Sequence, residues 1–201
     1  MLLLPGLDGS GTLWGPLRDA LGRDAQCVRY APDVAGYDAL LSAIAPIATP
    51  TVVVAESFGG PLAIRLAARE ANVTRLVLIA SFAVGPSLAR LAPLLRVLPR
   101  PPRFALRTWM LGEDASEARV DELDAAIRSV PRATIAARMA EVARTDVRDA
   151  LRSLRIPVTW IVATRDRLVP PPRDVPGEIV RIDGPHLLAQ TRPAEVADVL
   201  R

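Results

Sequence analysis

Short apolar runs alternate with longer segments of helical period from one end of the chain to the other. Leu2–Pro5 is a brief apolar run that stops at a glycine-rich turn. Thr12–Leu21 follows with helical spacing, and either Ser10 or Thr12 can cap it. Gln26–Tyr30 reads as a second strand, and the segment from Tyr37 to Ala48 as a helix. Thr51-Val52-Val53-Val54-Ala55 is β-branched and apolar on both faces, which places it in the middle of a parallel sheet. A helix over Gly59–Ala71 and another buried strand, Leu76–Ala80, come next. Val158–Ala163 and Glu178–Ile182 read as strands, and Pro193–Leu200 as the last helix. This alternation predicts an α/β fold: a three-layer α/β/α sandwich around a mainly parallel sheet of about six strands.

The stretch Ala83–Thr145 interrupts the alternation. It is rich in Leu, Arg and Pro, and has helical period over Ser116–Ser129 and Arg132–Arg144. Being short for an independent core, it reads as a helical insertion of roughly residues 83–145 in one domain spanning 1–201.

Composition narrows the picture. Half of the 201 residues are apolar and 23% are charged, as in ordinary globular chains. No apolar run is long enough to span a bilayer, and the start, Met1-Leu2-Leu3-Leu4-Pro5-Gly6, lacks the basic and apolar regions of a signal peptide. With one cysteine, Cys27, no internal disulfide can form; it reads as a buried strand residue, and a cytoplasmic location is expected. The pI near 9.9 reflects a net charge of only +3 in a chain whose basic residues are all Arg. Those arginines are dispersed, so neither nucleic acid nor a membrane is expected as a partner. One His and one Cys cannot supply a soft-donor metal cluster, and neither metal nor cofactor is expected.

The chemistry concentrates in Val53-Val54-Ala55-Glu56-Ser57-Phe58-Gly59-Gly60. A buried strand runs into a serine, and a helix begins directly behind it. Small residues two before and two after Ser57 permit a sharp turn that exposes its hydroxyl. The helix start offers free N–H groups to a developing oxyanion. Taken alone, Ser57 could equally be a helix cap. A serine hydroxyl needs a base to take its proton, and the base needs an orienting partner. The sole histidine, His186, follows the last strand; by itself it could be a core or surface imidazole. Asp166 follows another strand; by itself it could be a turn residue paired with Arg165 or Arg167. Together the three stand in the order Ser, Asp, His, each at the carboxyl end of a separate strand.

Both the turn and this order resemble the α/β-hydrolase family, whose nucleophile elbow is written G-x-S-x-G, with Ala55 here in place of the first glycine. The resemblance implies a serine hydrolase of the carboxylesterase type, with Ser57, Asp166 and His186 as its triad. It would cleave ester or thioester bonds of small acyl substrates through an acyl-enzyme. Pro5-Gly6-Leu7-Asp8-Gly9-Ser10-Gly11 matches neither a P-loop nor G-x-G-x-x-G, but resembles the family's His-Gly loop, with Pro5 where His is common. That implies the backbone N–H groups of Leu7 and Phe58 as oxyanion donors; a purely structural loop is the alternative. Family members carry further N-terminal strands before this loop. A six-stranded sheet would then have an edge that a second copy could cover as a homodimer.

Alternatives on the same triad are acyl transfer, perhydrolysis or a lyase reaction, and a non-catalytic relative would simply bind a small molecule. Glu56 is expected to pair with an Arg. Asp8 is either a brace for the loop or an exposed turn residue. Phe104, Trp109, Met110, Leu94, Leu95 and Leu98 could line an acyl pocket or make ordinary contacts with the core. Arg96, Arg100, Arg103 and Arg107 could form a basic face for an acyl carrier protein, or simply a solvated one.

Overall fold

The computed structural model describes residues 1–22, 24–87, 89, 101–113 and 115–201. Six strands form one sheet: β1 (Leu2–Leu4), β2 (Gln26–Cys27), β3 (Thr51–Glu56), β4 (Val73–Ile79), β5 (Val158–Ala163) and β6 (Glu178–Ile182). Their order is β2-β1-β3-β4-β5-β6, and every pair is parallel. The helices are α1 (Gly15–Leu21), α2 (Tyr37–Ala43), α3 (Gly59–Arg69), α4 (Arg103–Leu106), α5 (Glu117–Arg128), α6 (Arg132–Arg144), α7 (Arg148–Ser153), α8 (Leu188–Thr191) and α9 (Pro193–Leu200). A 3-10 turn, Thr12–Trp14, leads into α1, and a π-helical turn, Arg107–Leu111, continues α4.

Strand side chains alternate between two core layers, as the period of two requires. Val53, Ala55, Leu76, Leu78, Trp160 and Val162 face α2, α3 and α7; Val54, Val77, Ile79, Ile161 and Ala163 face α1, α8 and α9. The interior strands β3, β4 and β5 are nearly continuous apolar runs because helices cover both faces. At the edge, β6 is mostly exposed, with Val180 half-buried and Ile182 buried.

Several boundaries differ from the sequence expectation. The second strand stops at Cys27 because β1 is only three residues long; Val28 N–H still bonds Leu3 O, but Tyr30 N–H turns to Gly9 O. α2 ends at Ala43, with Ile44 extended ahead of Pro46. The side chains of Arg69 and Glu70 then satisfy the backbone of Ile44 and Ile47. β4 starts three residues early, at Val73.

Between β4 and β5 the chain leaves the sheet. An antiparallel bridge, Val84 to Asp146, joins the two ends of this excursion. The segment Arg103–Arg128 builds its own apolar cluster, in which Leu106, Leu111, Val120 and Leu123 meet Leu13 and Leu187 above the sheet's carboxyl edge. Among the described residues no helix is long and apolar enough to cross a membrane.

The strand order fixes where a site can form. From β1 the chain runs outward to β2 and returns on the other side of β1 as β3, so the loops after β1 and β3 diverge and leave a crevice between them. Gly59 brings the start of α3 against the end of β1: an added Cβ would lie 2.6 Å from Pro5 O and 2.7 Å from Leu4 O. Gly59→Ala should therefore lower stability by about 1–3 kcal/mol in urea unfolding, the usual cost of overpacking against rigid neighbours. Gly15→Ala, whose Cβ would meet nothing within 4 Å, should stay within about 0.5 kcal/mol of the parent.

Candidate active site

Ser57 sits between β3 and α3 with φ of 51°, the left-handed region a non-glycine residue rarely occupies. Neighbours hold it there. Its N–H donates to Ile79 O at 2.9 Å, and its carbonyl accepts from Gly60 N–H (3.0 Å) and the Ser81 hydroxyl (2.7 Å). Ala55 lies within β3, fully buried and paired with Leu4 and Leu78, so its methyl does not interfere with the turn.

His186 projects from the loop after β6. Its Nε2 lies 2.9 Å from Ser57 Oγ, and its Nδ1 2.7 Å from Asp166 Oδ2. Asp166, in the loop after β5, accepts from the N–H groups of Leu168 (2.8 Å) and Val169 (3.0 Å) through Oδ1. A carboxylate fixed by two backbone donors is a pure acceptor. It therefore sets the proton on Nδ1 and leaves the Nε2 lone pair facing the serine hydroxyl. The arginine pairing considered for Asp166 does not occur at Arg165, which pairs with Asp183 at 3.2 Å. His186 and Asp166 are both nearly inaccessible, with side chains 3% and 4% exposed, so water screens the contact little.

The residues that carry the two oxyanion candidates border the same space. Leu7 and Phe58 line a small cavity of about 110 Å³ together with Ser57 and His186. Among the described residues neither N–H has an intramolecular acceptor. A larger cavity of about 220 Å³ opens on Ser57 and His186 as well, lined by Leu13, Leu106, Leu123, Ile127 and Ile135. Leu7, Met110, Met139 and Leu168 border both cavities. Two apolar chambers thus adjoin the serine hydroxyl.

Glu56 is fully enclosed and, among the described residues, is not paired with an arginine. It accepts from Ala189 N–H and Gln190 Nε2, both at 3.2 Å, and burial pushes its carboxyl up to about 7. Asp8 is buried and accepts from the backbone and hydroxyl of Ser10, bracing the loop after β1. Cys27 is half-buried, and burial raises its thiol, which opposes thiolate formation.

Of the proposed pocket residues, Met110 lines both cavities, whereas Phe104 (71% exposed) and Trp109 (51%) face solvent. Leu94, Leu95, Leu98, Arg96 and Arg100 lie outside the described residues. Arg103 pairs with Glu117 and Asp121, and Arg107 with Glu117, so these two do not present free positive charge. The sequence reading overlooked Arg138, a wholly buried arginine on α6 that donates to backbone carbonyls of the loop after β1. The signal was there: position 138 falls in the inward stripe with Ile135 and Val142, where helical spacing calls for an apolar residue.

A family model described as "Alpha/beta hydrolase family" matches residues 1–199. The chain is 26% identical over 199 residues to a protein of Rhizobium rhizogenes named "Putative carbamate hydrolase RutD", covering 85% of this chain and 76% of the relative. Among solved structures, the enol-lactonase of Burkholderia xenovorans superposes with a TM-score of 0.81 at 16% identity, over 99% of this chain and 88% of the other. A thermophilic esterase of Thermogutta terrifontis gives 0.74 at 21% identity, over 100% and 87%. At such identities the superpositions establish the fold, and the match along nearly the whole length establishes the kinship: this chain belongs to the alpha/beta hydrolase family.

Proposed function

We propose that the protein is a serine hydrolase that cleaves carboxylic esters of small acyl substrates with apolar groups on both sides of the scissile bond. The observation that carries this reading is the relay from Ser57 Oγ to His186 Nε2 (2.9 Å) and from Nδ1 to Asp166 (2.7 Å), opening between two apolar chambers.

In this reading, Ser57 Oγ bonds to the acyl carbon while its proton passes to His186 Nε2. Asp166 stabilises the imidazolium that forms. The carbonyl oxygen takes up negative charge facing the N–H groups of Leu7 and Phe58, where each donor contributes on the order of 3 kcal/mol. Collapse of this intermediate breaks the bond to the alcohol oxygen, which leaves with the proton from Nε2. Water then attacks the acyl-enzyme, His186 takes its proton, and the acid departs as Ser57 is reprotonated.

Chamber chemistry selects among substrates. Hydrocarbon on either side of an ester removes apolar area from water, at roughly 25 cal/mol per Å². Two apolar chambers suit hydrocarbon on both sides of the scissile carbonyl, and a short carbamate without such arms would gain little from them.

Three outcomes are expected. A fluorophosphonate probe should label the wild-type protein and leave Ser57→Ala unlabelled, as read by intact-mass spectrometry; a folded wild type that stays unlabelled would refute the proposal. Asp166→Asn should lower kcat on a p-nitrophenyl ester by on the order of 10⁴, because it removes the acceptor that sets the histidine tautomer; unchanged turnover would show the acid to be elsewhere. In a panel of esters, thioesters and carbamates of graded length, esters with apolar acyl and alcohol arms should have the highest kcat/KM. Preference for a short carbamate would overturn the assignment of substrate class.

A further inference from the structure

Arg138 lies on α6, in the excursion between β4 and β5, yet its head group reaches the loop after β1. It is fully buried and has a complete set of acceptors. Nε donates to Val34 O (3.0 Å). Nη1 donates to Leu7 O (2.8 Å) and Asp8 O (3.2 Å), and Nη2 to Ala31 O (3.0 Å) and Val34 O (2.8 Å). All five N–H groups of the guanidinium fork are thus used on main-chain oxygens. Its plane also approaches the rings of Tyr30 and Phe58, with the central carbon 5.6 Å and 6.0 Å from their centroids. One side chain therefore contacts both residues proposed as oxyanion donors.

We infer that Arg138 is the positioning residue of the oxyanion site, fixing the Leu7–Asp8 segment so that the Leu7 N–H stays turned toward Ser57. This inference rests on the serine-hydrolase reading above. The loop carries two glycines at positive φ, Gly9 (69°) and Gly11 (74°), and such backbone has low barriers to reorientation unless something pins it. The Leu7 N–H shares a peptide plane with Gly6 O, which accepts from Gly9 N–H, and Tyr30 Oη–H donates to Pro5 O. Arg138 pins the two carbonyls inside that turn, Leu7 O at 2.8 Å and Asp8 O at 3.2 Å, and so fixes the dihedrals on which the Gly6–Gly9 closure depends. Gly9 leaves the room: a Cβ there would stand 2.9 Å from Nη1 and 2.7 Å from the Tyr30 ring. One helical step away, Met139 borders both chambers. The helix that borders both chambers is thus also the one tied to the loop after β1.

Lysine in place of arginine keeps the charge but offers three hydrogens from a single point, which cannot serve four carbonyls spread around a planar fork. Arg138→Lys should therefore lower kcat on a p-nitrophenyl ester by roughly 10- to 100-fold, short of the 10²–10³ lost with a whole oxyanion donor. KM should stay within about threefold, because the carbonyl charge it serves develops in the transition state. The rate of fluorophosphonate labelling should fall in proportion. Val196→Ala, on the buried face of α9, is the control: it should lower Tm while leaving kcat unchanged. A kcat within twofold of wild type in folded Arg138→Lys, or a loss confined to KM, would overturn the inference. If the lysine variant does not fold, a crystal structure of the phosphonylated wild type decides. Leu7 N–H within hydrogen-bond reach of the phosphonyl oxygen, with Leu7 O still on Arg138, supports the inference; any other arrangement overturns it. A wild type that resists labelling takes down the serine-hydrolase reading and this inference with it. Labelling with an unimpaired lysine variant takes down the role of Arg138 alone.

Discussion

The turn at Ser57 is a backbone constraint on which the rest of the site depends. A left-handed serine stores strain on the order of 1–3 kcal/mol, and it persists only where its surroundings over-determine it. Here the hold comes from three directions: Ile79 O on its N–H, and Gly60 N–H with Ser81 Oγ on its carbonyl. Gly60 itself is tied to this arrangement, because a Cβ there would run into the Ser81 hydroxyl. The end of β4, the start of α3 and the turn are thus one unit. Loosening any of them would let the hydroxyl leave the His186 Nε2 lone pair.

The remaining groups are held by backbone more than by salt bridges. Asp166 is anchored by two N–H groups, Asp8 by Ser10, and Arg138 by carbonyls of two separate segments. Backbone donors and acceptors on short loops between buried strands have few alternative positions. Such a site needs little reorganisation when charge develops, which is the condition under which fixed dipoles act most strongly.

Much of this was legible in the sequence because it follows from one-dimensional patterns. Val52, Val53 and Val54 announce a central parallel strand, and the last helix begins at Pro193 as read. The Ser57, Asp166 and His186 candidates came from counting strands and asking which ends share an edge. Features that depend on partners distant in the chain were not legible. Glu56 sits beside a serine in sequence, but its acceptors' partners are 133 and 134 residues away, at Ala189 and Gln190. Arg138 binds carbonyls about as far off, and carbonyls have no residue identity to read. The early end of α2 is a third case, set by Arg69 and Glu70 reaching back to Ile44 and Ile47.

The enclosed carboxyl of Glu56 makes folding a proton-linked event. Its native value of about 7 lies above the 4.5 of an unfolded glutamate, so between those values the folded chain binds a proton that the unfolded chain releases. Below pH 4.5 both forms are protonated and the group adds no pH dependence. As pH rises toward 7 the native state loses ground, by roughly 3 kcal/mol across the interval, because it must either keep a neutral acid or bury a charge. Refolding at pH 6 would accordingly draw protons from the buffer. The residue next to the serine thereby ties the firmness of the whole fold to acidity over the range just below neutral.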